Sequence, residues 1–305
     1  MMRRCRTVRS TLLFYRLKED LKLKRYMIHC QNIDVRVTEW GKRDKPVIFC
    51  LHGLGSTALS FIEVADKLKD DYFLLAIDAP GHGMSQSFQD DHTYDFPQFC
   101  EWLNELLDML NVNRFYFLSH SWGSFIHLYY LIEYGTRVDG SILIDSGYQS
   151  KRLRGDSPES EAAFYEKDFA GYCESWNEFE TIAVYDGISR RSSLLNLAAQ
   201  DLALHKDNRY YWHARGRTGA AIIKSMYRDE ILEFLPRVQT NLITLLRATL
   251  PAEDEPFKVD ASNQLAKLTG ALIKAIPSTS HMLHWDNPDR VVQEVKENWI
   301  TSVPL

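Results

Sequence analysis

The sequence lacks long apolar runs and is poor in cysteine. No stretch approaches about 18 consecutive apolar residues, the length needed for a helix that spans a membrane. The five cysteines are odd in number, widely spaced and without a C-x-x-C pair: Cys5, Cys30, Cys50, Cys100 and Cys173. This spacing is typical of reduced thiols, so we expect a cytoplasmic protein with no membrane-spanning segment.

A basic excess is also missing, which disfavours a nucleic-acid partner. The 36 Lys and Arg residues face 41 Asp and Glu residues, so the net charge is −5. Nine basic and two acidic side chains nevertheless fall within residues 1–25, where Leu13, Leu17 and Leu21 recur every four positions. This pattern fits a leading helix packed on the domain, a partly frayed arm, or a basic helix on an anionic membrane surface.

Motifs for metals and nucleotides are absent. There is no H-E-x-x-H, and His281 and His284 lack the neighbouring carboxylates of a metal site. There is no P-loop, and Gly81-His82-Gly83 has no third glycine. We therefore expect neither a metal nor a cofactor, and a small molecule as the partner. The oligomeric state stays open.

Apolar strands that alternate with helices predict a mostly parallel sheet buried on both faces. Apolar residues make up 45% of the chain and charged residues 25%, as in an ordinary globular protein. The predicted strands are 26–30, 34–39, 46–51, 72–77, 114–118, 140–144, 242–246 and 271–276, with helices at 58–68, 96–110, 122–134 and 290–300. Between Asp145 and Asn241 the pattern is helical without a convincing buried strand, which predicts an inserted helical layer. Within it, residues 210–213 (Tyr-Tyr-Trp-His) fit either a pocket wall or helix packing.

The strongest local motif is Ser119-His120-Ser121-Trp122-Gly123, at a predicted strand-to-helix turn. Small residues two positions before and after a serine permit the strained turn that lifts its hydroxyl above a sheet. The usual pattern is G-x-S-x-G, and here Ser119 replaces the first glycine. We interpret Ser121 as a candidate nucleophile, with an ordinary polar turn as the alternative.

Two further loops supply candidate partners for that serine. In Leu51-His52-Gly53-Leu54-Gly55, the Leu54 N–H can face a developing oxyanion together with the Trp122 N–H. Near the C-terminus, His281 and His284 are both candidates for the general base. His281 is favoured because it directly follows the small residues 278–280, which allow the loop to bend inward.

With these motifs the chain resembles the α/β-hydrolase superfamily, in particular its small serine hydrolases with an inserted cap. The resemblance rests on LHGLGS, AIDAPGHGMS, LSHSWGS and TSHMLHWDNPD, which occur in the expected order across residues 46–305. It implies an eight-stranded, mostly parallel sheet flanked by helices, with a helical cap after the sixth strand. The implied divisions are a basic arm (1–25), a core (26–147 and 241–305) and a cap (148–240). Asp78, Gly81 and Gly83 match a structural turn of the family.

The acidic member of a catalytic triad is not fixed by the resemblance. Many relatives carry an Asp in a G-x-x-D turn after the penultimate strand, where this chain has no acid at the matching position. Asp254 and Glu253 follow a few residues later, in an acidic run flanked by prolines that is more typical of a solvated loop. Asp145 ends the strand that follows the nucleophile helix, as in other members of the superfamily. We favour Asp145, since a strand end anchors the carboxylate.

Three functions remain open at this stage. The first is a hydrolase that cleaves an ester, thioester or related acyl bond through an acyl-enzyme on Ser121, with His281 as base and an Asp that fixes its tautomer. The second is a cofactor-free dioxygenase on the same fold, which uses the histidine and the acid but not the serine. The third is a regulator that binds a small molecule and signals through a partner.

Overall fold

The structure is a computed structural model that describes residues 23–299, except 156, 186, 189 and 239–241. Its strands are β1 (Leu23–Cys30), β2 (Ile33–Trp40), β3 (Val47–Leu51), β4 (Phe73–Ile77), β5 (Phe115–His120), β6 (Val138–Ile144), β7 (Tyr172–Cys173), β8 (Ala203–Lys206), β9 (Arg209–Trp212), β10 (Ile243–Ala248) and β11 (Leu272–Ile276). Its α-helices are α1 (Ile62–Leu68), α2 (Phe96–Met109), α3 (Trp122–Tyr134), α4 (Pro158–Ala170), α5 (Trp176–Ala183), α6 (Ser193–Leu202), α7 (Gly216–Arg228), α8 (Ile231–Phe234), α9 (Glu255–Thr269), α10 (Leu283–Asp286) and α11 (Pro288–Asn298).

Eight strands form one sheet in the order β1-β2-β4-β3-β5-β6-β10-β11. β2 pairs antiparallel with both of its neighbours, and every other pairing in this sheet is parallel. The mostly parallel eight-stranded sheet predicted from the sequence is therefore confirmed. β3, β5 and β6 are neighbours, so the loops at their carboxyl ends meet at one edge of the sheet.

Alternate residues of the central strands build a core on each face of the sheet. Phe49 and Leu51 of β3 belong to the cluster that includes the buried faces of α2 and α3, whereas Ile48 and Cys50 pack in the cluster with α1 and α11. This alternation follows from the two-residue period of a strand, and burial on both faces explains the continuous apolar sequence.

The segment between β6 and β10 contains more than the predicted helices. α4 to α8 are joined by a small antiparallel sheet in the order β7-β9-β8. No residue of these three strands is buried, so they produce no continuous apolar run, and the sequence pattern did not reveal them. Residues 210–212 of the aromatic cluster belong to β9. The Trp212 ring lies 5.2 Å from the Phe179 ring, which favours packing as the role of this side chain.

The N-terminal boundary differs from the sequence prediction. β1 begins at Leu23 and pairs with β2 from its first residue, so Lys24 and Arg25 belong to the sheet and not to a separate arm. The predicted helix with Leu13, Leu17 and Leu21 lies outside the described residues, as does Cys5. The other four cysteines are free thiols. Among the described residues, no helix is both long enough and apolar enough to cross a membrane.

Partly buried ion pairs attach the inserted segment to the first two strands. Asp201 of α6 accepts two hydrogen bonds of 2.8 Å from Arg25, and Arg36 donates to the same carboxylate at 2.9 and 3.0 Å. Arg36 also donates to Asp78 at 2.5 Å. Burial alone would raise the pKa of Asp201, but Arg25 and Arg36 hold that pKa below its usual value. The network therefore keeps a charged carboxylate at a largely buried position.

Replacing Asp201 with Ala is expected to lower the free energy of unfolding by about 1.5–3 kcal/mol, because two largely buried guanidinium groups would lose their shared carboxylate and keep only Asp78 as an acidic partner among the described residues. Urea denaturation followed by circular dichroism measures this change. Asp168 is an exposed aspartate on α4 of the same segment, so Asp168→Ala serves as the matched control. We expect the control to stay within about 0.5 kcal/mol of the parent. Equal losses in the two variants would contradict a special role for the network.

Candidate active site

Ser121 occupies a strained turn between β5 and α3. Its φ of 53° and ψ of −128° lie outside the regions that a serine ordinarily adopts. Two glycines make room for this turn. A Cβ atom on Gly53 would lie 2.5 Å from the Ser121 Cβ, and one on Gly123 would lie 2.5 Å from the Leu51 carbonyl oxygen. The turn therefore depends on close backbone contact with the loop after β3.

Ser119 replaces the first glycine of the usual motif without leaving its hydroxyl unpaired. Its Oγ lies 3.1 Å from the Ser124 Oγ and 2.8 Å from Nδ1 of His127, and the other ring nitrogen of His127 lies 2.9 Å from the Ser141 Oγ. All four side chains are buried. Because each polar group finds a partner, the turn tolerates a serine here.

The three favoured candidates from the sequence lie in one hydrogen-bonded row. Nε2 of His281 lies 2.9 Å from the Ser121 Oγ, and Nδ1 lies 3.0 Å from Oδ2 of Asp145. In the tautomer that satisfies both contacts, Nδ1–H donates to the carboxylate and Nε2 accepts the serine proton. The His281 side chain is 48% exposed, so solvent and a ligand can reach the histidine ring.

One backbone N–H group and one side-chain hydroxyl hold the Asp145 carboxylate in place. Its Oδ1 accepts hydrogen bonds from the Ala248 N–H at 2.8 Å and from the Tyr148 hydroxyl at 3.1 Å. Burial and the charge of Asp145 raise the pKa of Tyr148, so this hydroxyl stays protonated and donates. Asp145 itself is 1% exposed. These contacts leave Oδ2 directed at the histidine ring.

The alternative candidates for the acid and the base lie outside this row of hydrogen bonds. Asp254 and Glu253 are exposed in the turn before α9, and no hydrogen bond joins either side chain to His281 among the described residues. His284 is buried, and its Nε2 lies 2.7 Å from the Ser60 Oγ. Burial, with a smaller contribution from His281, lowers the pKa of His284 to about 3. A neutral histidine bonded to Ser60 is a structural group and not a partner of Ser121.

Two histidines to which the sequence motifs assign no role connect neighbouring loops by hydrogen bonds. His120 donates from Nε2 to the His281 carbonyl at 2.9 Å. Burial lowers the pKa of His120 well below its usual value, and His284 and His281 lower it further. His52 bridges the Gly53 carbonyl, at 2.7 Å, and the Ala79 N–H, at 2.9 Å. Their partners are remote in sequence or belong to the backbone, so no residue spacing indicated these roles.

The turn after β4 has the scaffold role predicted for it. Asp78 is fully buried and accepts from the Ala58 N–H at 3.0 Å and the Met84 N–H at 3.1 Å. A Cβ atom on Gly83 would lie 2.2 Å from Oδ2 of Asp78, and one on Gly81 would lie 2.2 Å from the Thr218 Oγ1. The two glycines thus allow the turn to pack closely, on the aspartate and on α7.

A cavity of about 260 Å³ lies beside the serine hydroxyl. Leu54 and Trp122, the two candidate oxyanion donors, line it together with Ser121. Within the described part of the chain, neither of their backbone N–H groups donates to another protein group. The remaining lining residues are Phe125, Asp145, Ser146, Gln149, Lys151, Tyr165, Ile223, Met226, Leu250, Pro251, Asp254, Lys258 and His281. The wall is therefore mixed, with an apolar side and several charged groups.

No cluster of three or more His, Cys, Asp or Glu side chains suited to a metal ion occurs among the described residues. Lys258, whose charge lies near Asp145, was not identified from the sequence. Nothing in the local pattern of α9 distinguishes it from a surface lysine, and only the fold brings it into the cavity wall.

Several curated proteins are similar to this chain in sequence. Over 107 residues the chain is 31% identical to the Homo sapiens "Serine hydrolase-like protein". The match covers 35% of this chain and 53% of that protein. The chain therefore spans about half the length of this relative. A Drosophila melanogaster "Probable serine hydrolase" is 22% identical over 274 residues, with 84% and 81% of the two chains covered.

A solved structure and a family profile also match most of the chain. The crystal structure of E-2-(acetamidomethylene)succinate hydrolase matches with a TM-score of 0.74 and 16% identity, over 91% of this chain and 99% of the other. At this identity the likeness concerns the fold. The profile of the α/β hydrolase fold family matches residues 46–288, well over half of the 305 residues. The chain therefore belongs to the α/β hydrolase fold family.

Proposed function

We propose that the protein is a serine hydrolase that cleaves an ester, thioester or related acyl bond of a small molecule, in the manner of a carboxylesterase. The observation that carries this proposal is the row of contacts from the Ser121 Oγ through His281 to Asp145, at 2.9 and 3.0 Å. A serine hydroxyl is a weak nucleophile until an adjacent base accepts its proton, and this row supplies that base.

The first half of the reaction forms an acyl-enzyme. His281 Nε2 accepts the Ser121 proton as the Oγ attacks the acyl carbon, and the carbonyl oxygen becomes an oxyanion. The N–H groups of Leu54 and Trp122 are the proposed donors to that oxygen. When the intermediate collapses, the bond to the leaving alcohol or thiol breaks, and His281 returns the proton to the leaving group.

The second half uses water in place of the serine. A water oxygen attacks the acyl carbon as His281 accepts a proton from that water, and the bond between the acyl carbon and the Ser121 Oγ then breaks. The proton returns to Ser121, and the acid product leaves. Throughout, Asp145 keeps the Nδ1 proton in place and stabilises the imidazolium, which a buried carboxylate held by Ala248 and Tyr148 does without reorganising.

Contact between Ser121 and His281 favours this mechanism over a dioxygenase that leaves the serine idle. The cavity volume of about 260 Å³ lies just below the range of about 300–1,000 Å³ found for drug-sized ligands, which favours a small acyl group. A regulator without turnover is the remaining alternative, and the two experiments below separate it from an enzyme.

A fluorophosphonate probe is expected to label Ser121 covalently, because the activated hydroxyl attacks phosphorus as it would an acyl carbon. Labelling is followed by intact-protein mass spectrometry. Ser121→Ala should abolish the mass increase, and its circular dichroism spectrum should match that of the parent. Heat-unfolded parent protein serves as the control and should not react. Labelling that persists in Ser121→Ala would exclude this serine as the nucleophile.

Asp145→Asn is expected to lower the kcat for p-nitrophenyl esters by up to about 10⁴-fold, because the histidine would hold its proton on the wrong nitrogen. Asp254→Asn and Glu253→Gln test the competing acids at matched charge change, and each should retain turnover within a few fold of the parent. The three variants are assayed side by side with one ester. A large loss in Asp254→Asn together with near-normal turnover in Asp145→Asn would reverse the assignment.

A further inference from the structure

A buried lysine stands in the cavity wall close to the proposed triad. Lys258 lies on α9 and is 6% exposed. Its Nζ donates to the Leu250 carbonyl at 2.6 Å and lies 3.9 Å from Oδ2 of Asp145. An ammonium group has three donors, and the described residues supply this one hydrogen bond. Since burying an ammonium is costly unless its charge and its donors are matched, Lys258 has capacity for a further acceptor.

Asp145 does not use up that capacity. A separation of 3.9 Å is too long for a hydrogen bond, and the carboxylate already accepts from Ala248, Tyr148 and His281. In the proposed reaction His281 becomes a cation next to Asp145 and balances its charge. The oxyanion that forms at the same time accepts from the Leu54 and Trp122 N–H groups, so in the proposed reaction neither Asp145 nor the oxyanion occupies the remaining donors of Lys258.

The other charged groups of the wall do not offer the same feature. Lys151 forms an ion pair with Glu161, whose second oxygen accepts from the Tyr227 hydroxyl at 2.9 Å. Asp254 is exposed, so water and salt screen its repulsion of an anion. No arginine lines the cavity within the described chain, so the planar fork that suits a phosphate is missing. A single ammonium matches a singly charged carboxylate.

We propose that the acyl part of the substrate carries a carboxylate, and that Lys258 binds it. The inference rests on the proposed function, because it assigns the substrate class of the same site. The substrate class is a half-ester or half-thioester of a short dicarboxylic acid, because the cavity of about 260 Å³ lies just below the range of about 300–1,000 Å³ found for drug-sized ligands. Lys258 is thus a specificity-determining residue.

The test compares p-nitrophenyl half-esters of succinic, glutaric and adipic acid with the same compounds capped as neutral methyl esters. Rates measured with Ser121→Ala are subtracted, which removes spontaneous hydrolysis by the neighbouring carboxylate. For at least one chain length, the parent should show a kcat/KM that is tenfold or more higher for the charged ester than for its capped counterpart. A charge-assisted hydrogen bond accounts for a preference of about tenfold to one-hundredfold.

Variants at two lysines of α9 identify the source of this preference. Lys258→Met should reduce the charged-to-neutral ratio of kcat/KM by about tenfold to one-hundredfold, and Lys258→Arg should restore part of it. Lys267 is exposed on the same helix, so Lys267→Met is the matched control and should leave the ratio unchanged. The ratio is an internal standard, because any general loss of activity affects both esters.

The outcomes separate the two proposals. Ser121-dependent turnover with no preference for the charged ester at any chain length would overturn the carboxylate assignment and leave the hydrolase intact. A preference that survives in Lys258→Met would also overturn it. Should Lys258→Met fail to fold, the parent's own preference and the effect of Lys258→Arg still decide the assignment. Absence of all Ser121-dependent turnover would overturn the proposed function and this inference with it.

Discussion

The hydrogen bond from the Ala248 N–H to Asp145 is the contact on which the candidate site depends. It crosses between β10 and β6, adjacent parallel strands whose pairing extends to Leu246 and Ile144. A buried carboxylate that accepts a backbone donor cannot rotate without leaving that donor unpaired, which costs about 1–3 kcal/mol. The pairing of β6 with β10 therefore fixes the direction of Oδ2 of Asp145, and this oxygen in turn orients the His281 ring.

The turn at Ser121 depends on close packing of two backbone segments. Backbone atoms of the loop after β3 approach the start of α3 so closely that a side chain at Gly53 or Gly123 would clash. Ser119 shows how far this constraint extends. A hydroxyl is accepted at its position because three polar side chains around it form a closed network, in which His127 bridges two strands through Ser119 of β5 and Ser141 of β6.

Features of the fold and the site could be predicted where they depend on residues close together in the sequence. Buried parallel strands produce continuous apolar runs, so the eight-stranded sheet was foreseeable from sequence, and α3 was predicted with its observed bounds. The motifs around Ser121 and His281 are local, so they too could be found. The exposed strands β7 to β9 have no such pattern. His120 and Lys258 contact groups that the strand order brings near, and no local spacing encodes that order. Tyr148 lies only three residues from Asp145, but it belongs to no motif that would single it out.

The ion-pair network at Asp201 has a consequence for the boundaries of the folded unit. Arg25 belongs to the first strand, yet it holds a carboxylate on α6, in the segment inserted more than a hundred residues later. Arg36 extends this link to Asp78, whose Oδ1 accepts from the backbone of the loop that follows β3. The network therefore links the first hairpin, the inserted segment and the turn after β4. A chain shortened to begin at Tyr26 would retain every residue of the candidate site, yet it would loosen the layer above the sheet.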